Sequence, residues 1–271
     1  METNQAHLTK DGIRIYETAD FDGMRKAGHL AATILDDIAP HVFPGQTTGE
    51  IDRMITQMVS DAGAISATIG YKGYQHATCI SVNHVVCHGI PGDKVIKDGD
   101  ILNIDVTVIV DGWFGDNSRM YVAGKPSRKA ERLIQVTHDA LMKGIEAARP
   151  GNTFGDIGYA IQLYAESHRM SVVRDFCGHG LGRVFHAPPN VLHYGRPGTG
   201  AQLEEGMFFT IEPMINLGRP EIKVLADDWT AVTRDKSLSA QFEHSVGITA
   251  DGCEIFTLSP AGLFHPTYPV S

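Results

Sequence analysis

Four stretches of the chain carry apolar side chains at helical spacing. From Phe21, the residues Met24, Ala27, Ala31, Ile34, Leu35 and Ile38 recur every three or four positions, and Pro40 follows as a stop. Thr47-x-x-Glu50 reads as a capping box ahead of Ile51, Ile55, Met58 and Val59. Ser127 can cap a third helix carrying Leu133, Val136, Ala140, Leu141 and Ile145, which ends before Pro150-Gly151. Thr153-x-x-Asp156 opens a fourth through Ile157, Ala160, Ile161 and Tyr164.

The two helix pairs share wording. Pro44-Gly-Gln-Thr-Thr-Gly-Glu-Ile51 resembles Pro150-Gly-Asn-Thr-Phe-Gly-Asp-Ile157, and Gly99-Asp-Ile-Leu-Asn-Ile-Asp105 resembles Gly206-Met-Phe-Phe-Thr-Ile-Glu212. Pro-Gly-x-Thr also recurs simply because it starts helices well. The second match aligns two acidic residues at the ends of apolar strands, so a duplicated helix-helix-strand unit is the stronger reading. It predicts an α+β domain with pseudo-twofold symmetry and a cleft between its halves, where sites commonly form.

Ile101 to Val110 is rich in β-branched residues, and Asp111-Gly112 is a two-residue hairpin signal. With those two residues as the loop, Val110 opposes Trp113 and Thr107 opposes Asp116. Asp105 then shares a face with Thr107, which makes Asp105 and Asp116 diagonal neighbours about 7–8 Å apart. A bulge would break this count. Either Asp could face water or serve a turn, but two like charges on one buried face are costly without a cation.

Later segments offer further ligands. His179 lies between Gly178 and Gly180, Glu212 ends an apolar strand before Pro213, and Glu243 sits in the apolar-flanked run AQFEHSVGI. The glycines around His179 lack the spacing of a dinucleotide loop, and Pro188-Pro189 interrupts any helix after them. Each of these residues alone also fits a structural role. Together, two Asp, one His and two Glu make a hard, oxygen-rich set that suits a divalent pair better than a thiolate zinc site.

Composition narrows the classes. The 271 residues are enough to bury a sizeable core, and the net charge of −9 leaves no electrostatic footprint for nucleic acid. Cys79, Cys87, Cys177 and Cys253 form no C-x-x-C pair and read as free thiols in a reducing compartment. No apolar run resembles a signal peptide or a membrane span, so a cytoplasmic protein is expected. The tail FHPTYPVS suggests an irregular, surface-lying end.

Six segments resemble the type I methionine aminopeptidases of the pita-bread (creatinase/aminopeptidase) fold. They are Asn83-His-Val-Val-Cys-His-Gly-Ile-Pro91, Asn103-Ile-Asp-Val-Thr107, Gly112 to Ser118, Cys177-Gly-His-Gly180, Phe209-Thr-Ile-Glu-Pro213 and Ser239-Ala-Gln-Phe-Glu-His244. The resemblance runs from about Ile13 to Leu258 and implies one catalytic domain over 1–271, with halves at about 13–124 and 125–258 around a central antiparallel sheet. It implies hydrolytic removal of the initiator methionine from nascent polypeptides with a small second residue. It further implies that Asp105, Asp116, His179, Glu212 and Glu243 hold two divalent ions drawn from Co, Mn, Fe or Zn. Asp116 and Glu243 would bridge, with Asp105 on one ion and His179 and Glu212 on the other.

The same resemblance assigns proton transfer to Glu212, the oxyanion to His186 and the leaving nitrogen to His88. It places Thr68, Tyr71, Tyr74, Cys79, Phe185 and Trp229 in the methionine pocket, where aromatic and sulfur groups suit a thioether. It also implies a monovalent cation near Asn83, Val85 and Ser239, a monomeric state and transient ribosome contact. Two departures stand out: Thr68 replaces a Cys common in relatives, and Ala187-Pro188-Pro189 replaces an acidic pair after His186. The rival readings are a prolidase or aminopeptidase P, and a pita-bread binding protein without catalysis.

Overall fold

The computed structural model describes residues 7–268. Four helices form where the periodicity places them: α1 (Phe21–Ile38), α2 (Thr48–Asp61), α3 (Arg128–Ala147) and α4 (Phe154–Ser167). The start of α2 is a reciprocal cap. Thr47 N–H donates to Glu50 Oε2 at 2.7 Å and Glu50 N–H donates to Thr47 Oγ1 at 3.2 Å, which satisfies two amides that the helix leaves open. At α4, Thr153 N–H donates to Asp156 Oδ2 at 2.8 Å.

The strands in chain order are β1 (Ile65–Ser66), β2 (Thr78–Val82), β3 (Val85–Cys87), β4 (Ile101–Val110), β5 (Trp113–Val122), β6 (Ser171–Val172), β7 (Gly178–Gly180) and β8 (Ala187–Val191). They continue as β9 (Phe208–Ile211), β10 (Met214–Asn216), β11 (Ile222–Val224), β12 (Ala231–Thr233), β13 (Ser239–Gln241), β14 (Glu243–Ile248) and β15 (Cys253–Ile255). The main sheet is antiparallel and runs β1-β4-β5-β14-β9-β7-β8, with β2 also on β4 and β15 on β14. Its first-half and second-half strands meet where β5 pairs with β14, with Glu243 opposite Ser118 and His244 opposite Asn117. Two three-stranded sheets, β13-β10-β6 and β11-β12-β3, flank it.

Each helix pair covers its own apolar cluster. Ile34, Leu35, Ile38, Ile51 and Ile55 pack with Leu102, Ile104 and Val106 in the first half. Leu133, Ile134, Leu141, Ile157 and Ile161 pack with Phe209, Ile211 and Val246 in the second. Each such side chain stabilises by roughly 1.5–3 kcal/mol when buried, so the apolar stripe, more than helix propensity, holds each pair on its strands. Gly115 lets α1 lie directly on β5, because a Cβ there would run into the Ala27 carbonyl.

The hairpin follows the register expected of it. Val110 pairs with Trp113, Thr107 with Asp116 and Asp105 with Ser118, without a bulge. Asp111 and Gly112 both take positive φ, 51° and 78°, as a two-residue turn matched to strand twist requires. Because side chains alternate, Ile104, Val106 and Val108 face the helices while Asp105 and Thr107 face the opposite side.

The run AQFEHSVGI spans two strands: β13 belongs to a flanking sheet, and the chain crosses to the main sheet at Phe242, which is buried against His138. That crossing puts Glu243 at the first position of β14, beside the β4–β5 hairpin. The tail from Phe264 is irregular and largely exposed, as expected, while the segment just before it is pinned to α1 and β5. Ser259 Oγ donates to Asp36 at 2.8 Å and Ala261 N–H at 3.0 Å, while Asp36 also pairs with the buried Arg119 of β5. The Tyr268 ring packs 5.9 Å from Tyr121. Residues 269–271 of that tail, and the chain start before residue 7, lie outside the described residues. The four cysteines are free thiols.

Candidate metal centre

A cavity of about 640 Å³ opens between the halves, and Asp105, Asp116, His179, Glu212 and Glu243 all line it. Their backbones arrive from different elements: β4, β5, β7, the residue after β9 and the first residue of β14. Asp116, His179 and Glu243 are buried, and each offers a ligand atom within 4.8 Å of the others.

The tautomer of His179 follows from its neighbours. Nδ1 lies 3.1 Å from the Gly180 carbonyl, which can only accept, so Nδ1 carries the proton. Nε2 therefore turns toward Asp116 Oδ2 at 3.5 Å and Glu212 Oε1 at 3.7 Å. A lone pair facing two carboxylates is unfavourable unless a proton or a cation lies between them. Backbone anchoring of the other ring nitrogen is also the usual arrangement behind a metal-bound imidazole.

The carboxyl groups show the same conflict. Burial raises Asp105 well above the usual carboxylate range, and repulsion from Asp116 and then Glu212 adds to it. Burial likewise raises Glu243, with Asp116, Glu212 and Asp105 pushing further. Glu212 is pushed up to about 7 by burial and by Asp116, against the pull of His179. For His179, burial opposes protonation, but hydrogen bonding to Asp116 and the charges of Glu212 and Asp116 outweigh it and raise its pKa. Four carboxyls of hard oxygen donors and one imidazole, crowded without enough positive charge, fit divalent cations.

Several orienting residues were not singled out from the sequence. Thr107 Oγ1 donates to Asp116 Oδ1 at 2.7 Å, and Thr210 Oγ1 donates to Glu212 Oε1 at 2.8 Å. Gln241 Nε2 donates to Glu212 Oε2 at 3.2 Å, and Glu212 N–H donates to His193 Nε2 at 3.1 Å. Thr107 was accessible to reasoning, because the hairpin register puts it opposite Asp116. His193 was not, since its contact depends on a loop that no local pattern specifies.

The same cavity collects the remaining expected residues: Thr68, Tyr71, Tyr74, Cys79, His88, Phe185, His186 and Trp229. Tyr71 stacks on His186 with ring centroids 5.2 Å apart, and Tyr74 packs 4.8 Å from Trp229. His186 sits at the rim, open to water on one side. Desolvation by its packed neighbours, then the charge of His179, lowers its pKa to about 4. His88 takes φ 56°, an uncommon conformation for a non-glycine residue, and burial lowers its pKa. Thr68 Oγ1 donates to the His76 carbonyl at 2.7 Å, so the hydroxyl is spent on the wall. Of the residues expected around a monovalent cation, Ser239 N–H donates to the Asn83 carbonyl at 2.9 Å, and Val85 follows two residues on at the start of β3.

Comparison with known proteins agrees with this architecture. The sequence pattern of metallopeptidase family M24 matches residues 22–250, and the chain belongs to that family, whose members use divalent metals. Several relatives of high identity are methionine aminopeptidases. The one from Rickettsia prowazekii (strain Madrid E) is 59% identical over 257 residues, covering 94% of this chain and 99% of the relative. The crystal structure of methionine aminopeptidase from Rickettsia prowazekii superposes with a TM-score of 0.90 and 59% identity, over 91% of this chain and 100% of that one. A prolidase from Pyrococcus furiosus shares only the fold, at 22% identity and a TM-score of 0.73, over 90% of this chain and 65% of that one.

Proposed function

We infer that the chain is a metal-dependent aminopeptidase that releases methionine from the amino terminus of polypeptides with a small second residue. The carrying observation is the meeting of four carboxyls and one imidazole from both halves in a cavity walled by aromatic rings and sulfur. The family relationship supports the same activity. Asp105, Asp116, His179, Glu212 and Glu243 would hold two divalent ions of the Co, Mn, Fe or Zn class. When bound, such ions polarise a peptide carbonyl and bring the pKa of water toward neutrality.

The side chains do the rest. Glu212 accepts the proton of the attacking water and returns it to the leaving amine. Gln241 and Thr210 hold its two oxygens in place for that transfer. His186 is neutral at pH 7 and donates an N–H to the oxygen that becomes negative, with Tyr71 fixing its ring plane. His88, also neutral, contacts the peptide near the leaving nitrogen. Tyr71, Tyr74, Cys79, Phe185 and Trp229 enclose the methionine side chain, and Thr68 completes the wall. A monovalent cation held by backbone oxygens near Asn83, Val85 and Ser239 would brace the loop between β2 and β3.

We further place this activity in a single domain spanning both halves, 13–124 and 125–258. The continuous sheet through the β5–β14 pair supports that reading. We also propose a monomer acting in the cytoplasm on nascent chains, with transient ribosome contact; the free thiols suit a reducing compartment, and the net charge of −9 offers nucleic acid no footprint. Among the described residues no helix is long and apolar enough to cross a membrane. With added Mn or Co, the purified protein is expected to release Met from Met-Ala-Ser and not from Met-Lys-Ser. Cleavage at Xaa-Pro without Met release would favour a prolidase, and no cleavage with metal bound would favour a binding role.

A further inference from the structure

A second cavity, of about 850 Å³, adjoins the first, and Pro188 and Asn190 of β8 line both. In the register of the sheet Asn190 pairs with His179, so the shared wall stands directly beside the candidate metal centre. Arg174, Tyr194 and Arg196 line the second cavity, and the Arg174 guanidinium lies 5.1 Å from the Tyr194 ring centroid. Both arginines are exposed, and the one carboxylate in the lining is Asp11, which leaves the groove net positive although the whole chain carries −9.

The edge of β8 decides what kind of recognition is open to it. Among the described residues β8 pairs only with β7, so its other edge is free. An extended peptide often binds such an edge as an added strand. Here Pro188 and Pro189 carry no N–H, so a continuous ladder cannot form along this strand. What remains is a groove with a charged lining that continues from the cavity where a substrate would be cut.

We propose that this groove is a subsite for the downstream residues of the substrate polypeptide, and that Arg174 and Arg196 make it favour acidic residues there. The proposal rests on the aminopeptidase reading above. An extended chain advances about 3.3 Å per residue, so the wall formed by β8 accommodates about five residues beyond the cut. Exposed ion pairs are weak and salt-sensitive, so the expected preference is about two- to tenfold, in KM and at low ionic strength.

The test compares Met-Ala-Ser with Met-Ala-Ser-Ala-Asp-Asp-Ala and Met-Ala-Ser-Ala-Lys-Lys-Ala. The acidic heptapeptide should have the lower KM, and the difference should shrink at high salt. In a variant combining Arg174→Ala and Arg196→Ala, the difference should vanish while turnover of Met-Ala-Ser stays unchanged, which also shows that the variant is folded. Equal KM values for the two heptapeptides in the unaltered protein, or a preference that survives both substitutions, would overturn the groove. Failure to cut Met-Ala-Ser would instead overturn the aminopeptidase reading and the subsite with it.

Discussion

The two halves open their second helices alike, with Pro-Gly-x-Thr and a carboxylate at the third helical position, but the strands beneath the helix pairs are unlike. In the first half, two ten-residue strands joined by a tight turn bring Asp105 and Asp116 together within one hairpin. In the second, His179, Glu212 and Glu243 come from three separate segments, of which the strands are only three to six residues long. The halves also differ in how they are pinned. The first-half helix α1 holds the buried Asp36–Arg119 pair, which ties it to β5 and to the C-terminal segment. The lesson is that a repeated helical frame can carry donors of very different sequence separation.

The largest expected effect breaks the hairpin's contribution to the centre. Asp105→Asn keeps the shape and removes the charge, and activity should fall by at least about 100-fold, beyond the usual cost of losing a mere orienting partner. Stability should move the other way in metal-free protein. A carboxyl whose pKa is raised by folding destabilises the fold above its unfolded value of 3.8. The Asn variant should therefore match the parent near pH 4 and gain roughly 1–3 kcal/mol by pH 8, read by denaturant melts with chelator. A loss of stability at pH 8 would refute the repulsion among these carboxyls.

Next comes the pinning of the first half. Asp36→Ala leaves Arg119 buried without its partner and should cost about 3–5 kcal/mol. The same melts check it, and a change below 1 kcal/mol, roughly the value of an exposed pair, would show that Arg119 reaches water. The smallest effect sharpens the likeness between the halves: Thr47→Ala and Thr153→Ala should each cost about 0.5–2 kcal/mol, and by similar amounts. Strongly unequal costs would mean that the two helix starts, though worded alike, do not serve the fold alike.

Legibility in the sequence followed the same divide. The helices could be read from Met24 to Ile38 and from Leu133 to Ile145 because an amphipathic stripe is a local signal. The hairpin could be counted because Asp111-Gly112 fixes a two-residue turn, and the count then places Thr107 opposite Asp116. The meeting of Glu243 with Ser118 could not be counted, because it depends on a sheet crossing at Phe242 and on strand pairing between distant segments. The candidate ligands of the second half were picked out as unusual residues and joined to the hairpin's two Asp by donor chemistry alone, while which of them bridge two ions came only from the resemblance. Gln241 and His193 were not recognised as partners of Glu212, since nothing nearby in the chain points at that carboxyl.

The central claim is that donors from both halves bind divalent cations in the shared cavity. Calorimetric titration of chelator-treated protein with manganese tests it most directly, at pH 6 and pH 8 and with His179→Ala alongside. Because Glu212 is held near pH 7 and must lose its proton to act as a donor, binding should tighten from pH 6 to pH 8 and release protons. His179→Ala should weaken it at least about tenfold. An unaltered protein that takes up no manganese at pH 8, or a His179→Ala variant with unchanged affinity, would contradict the claim.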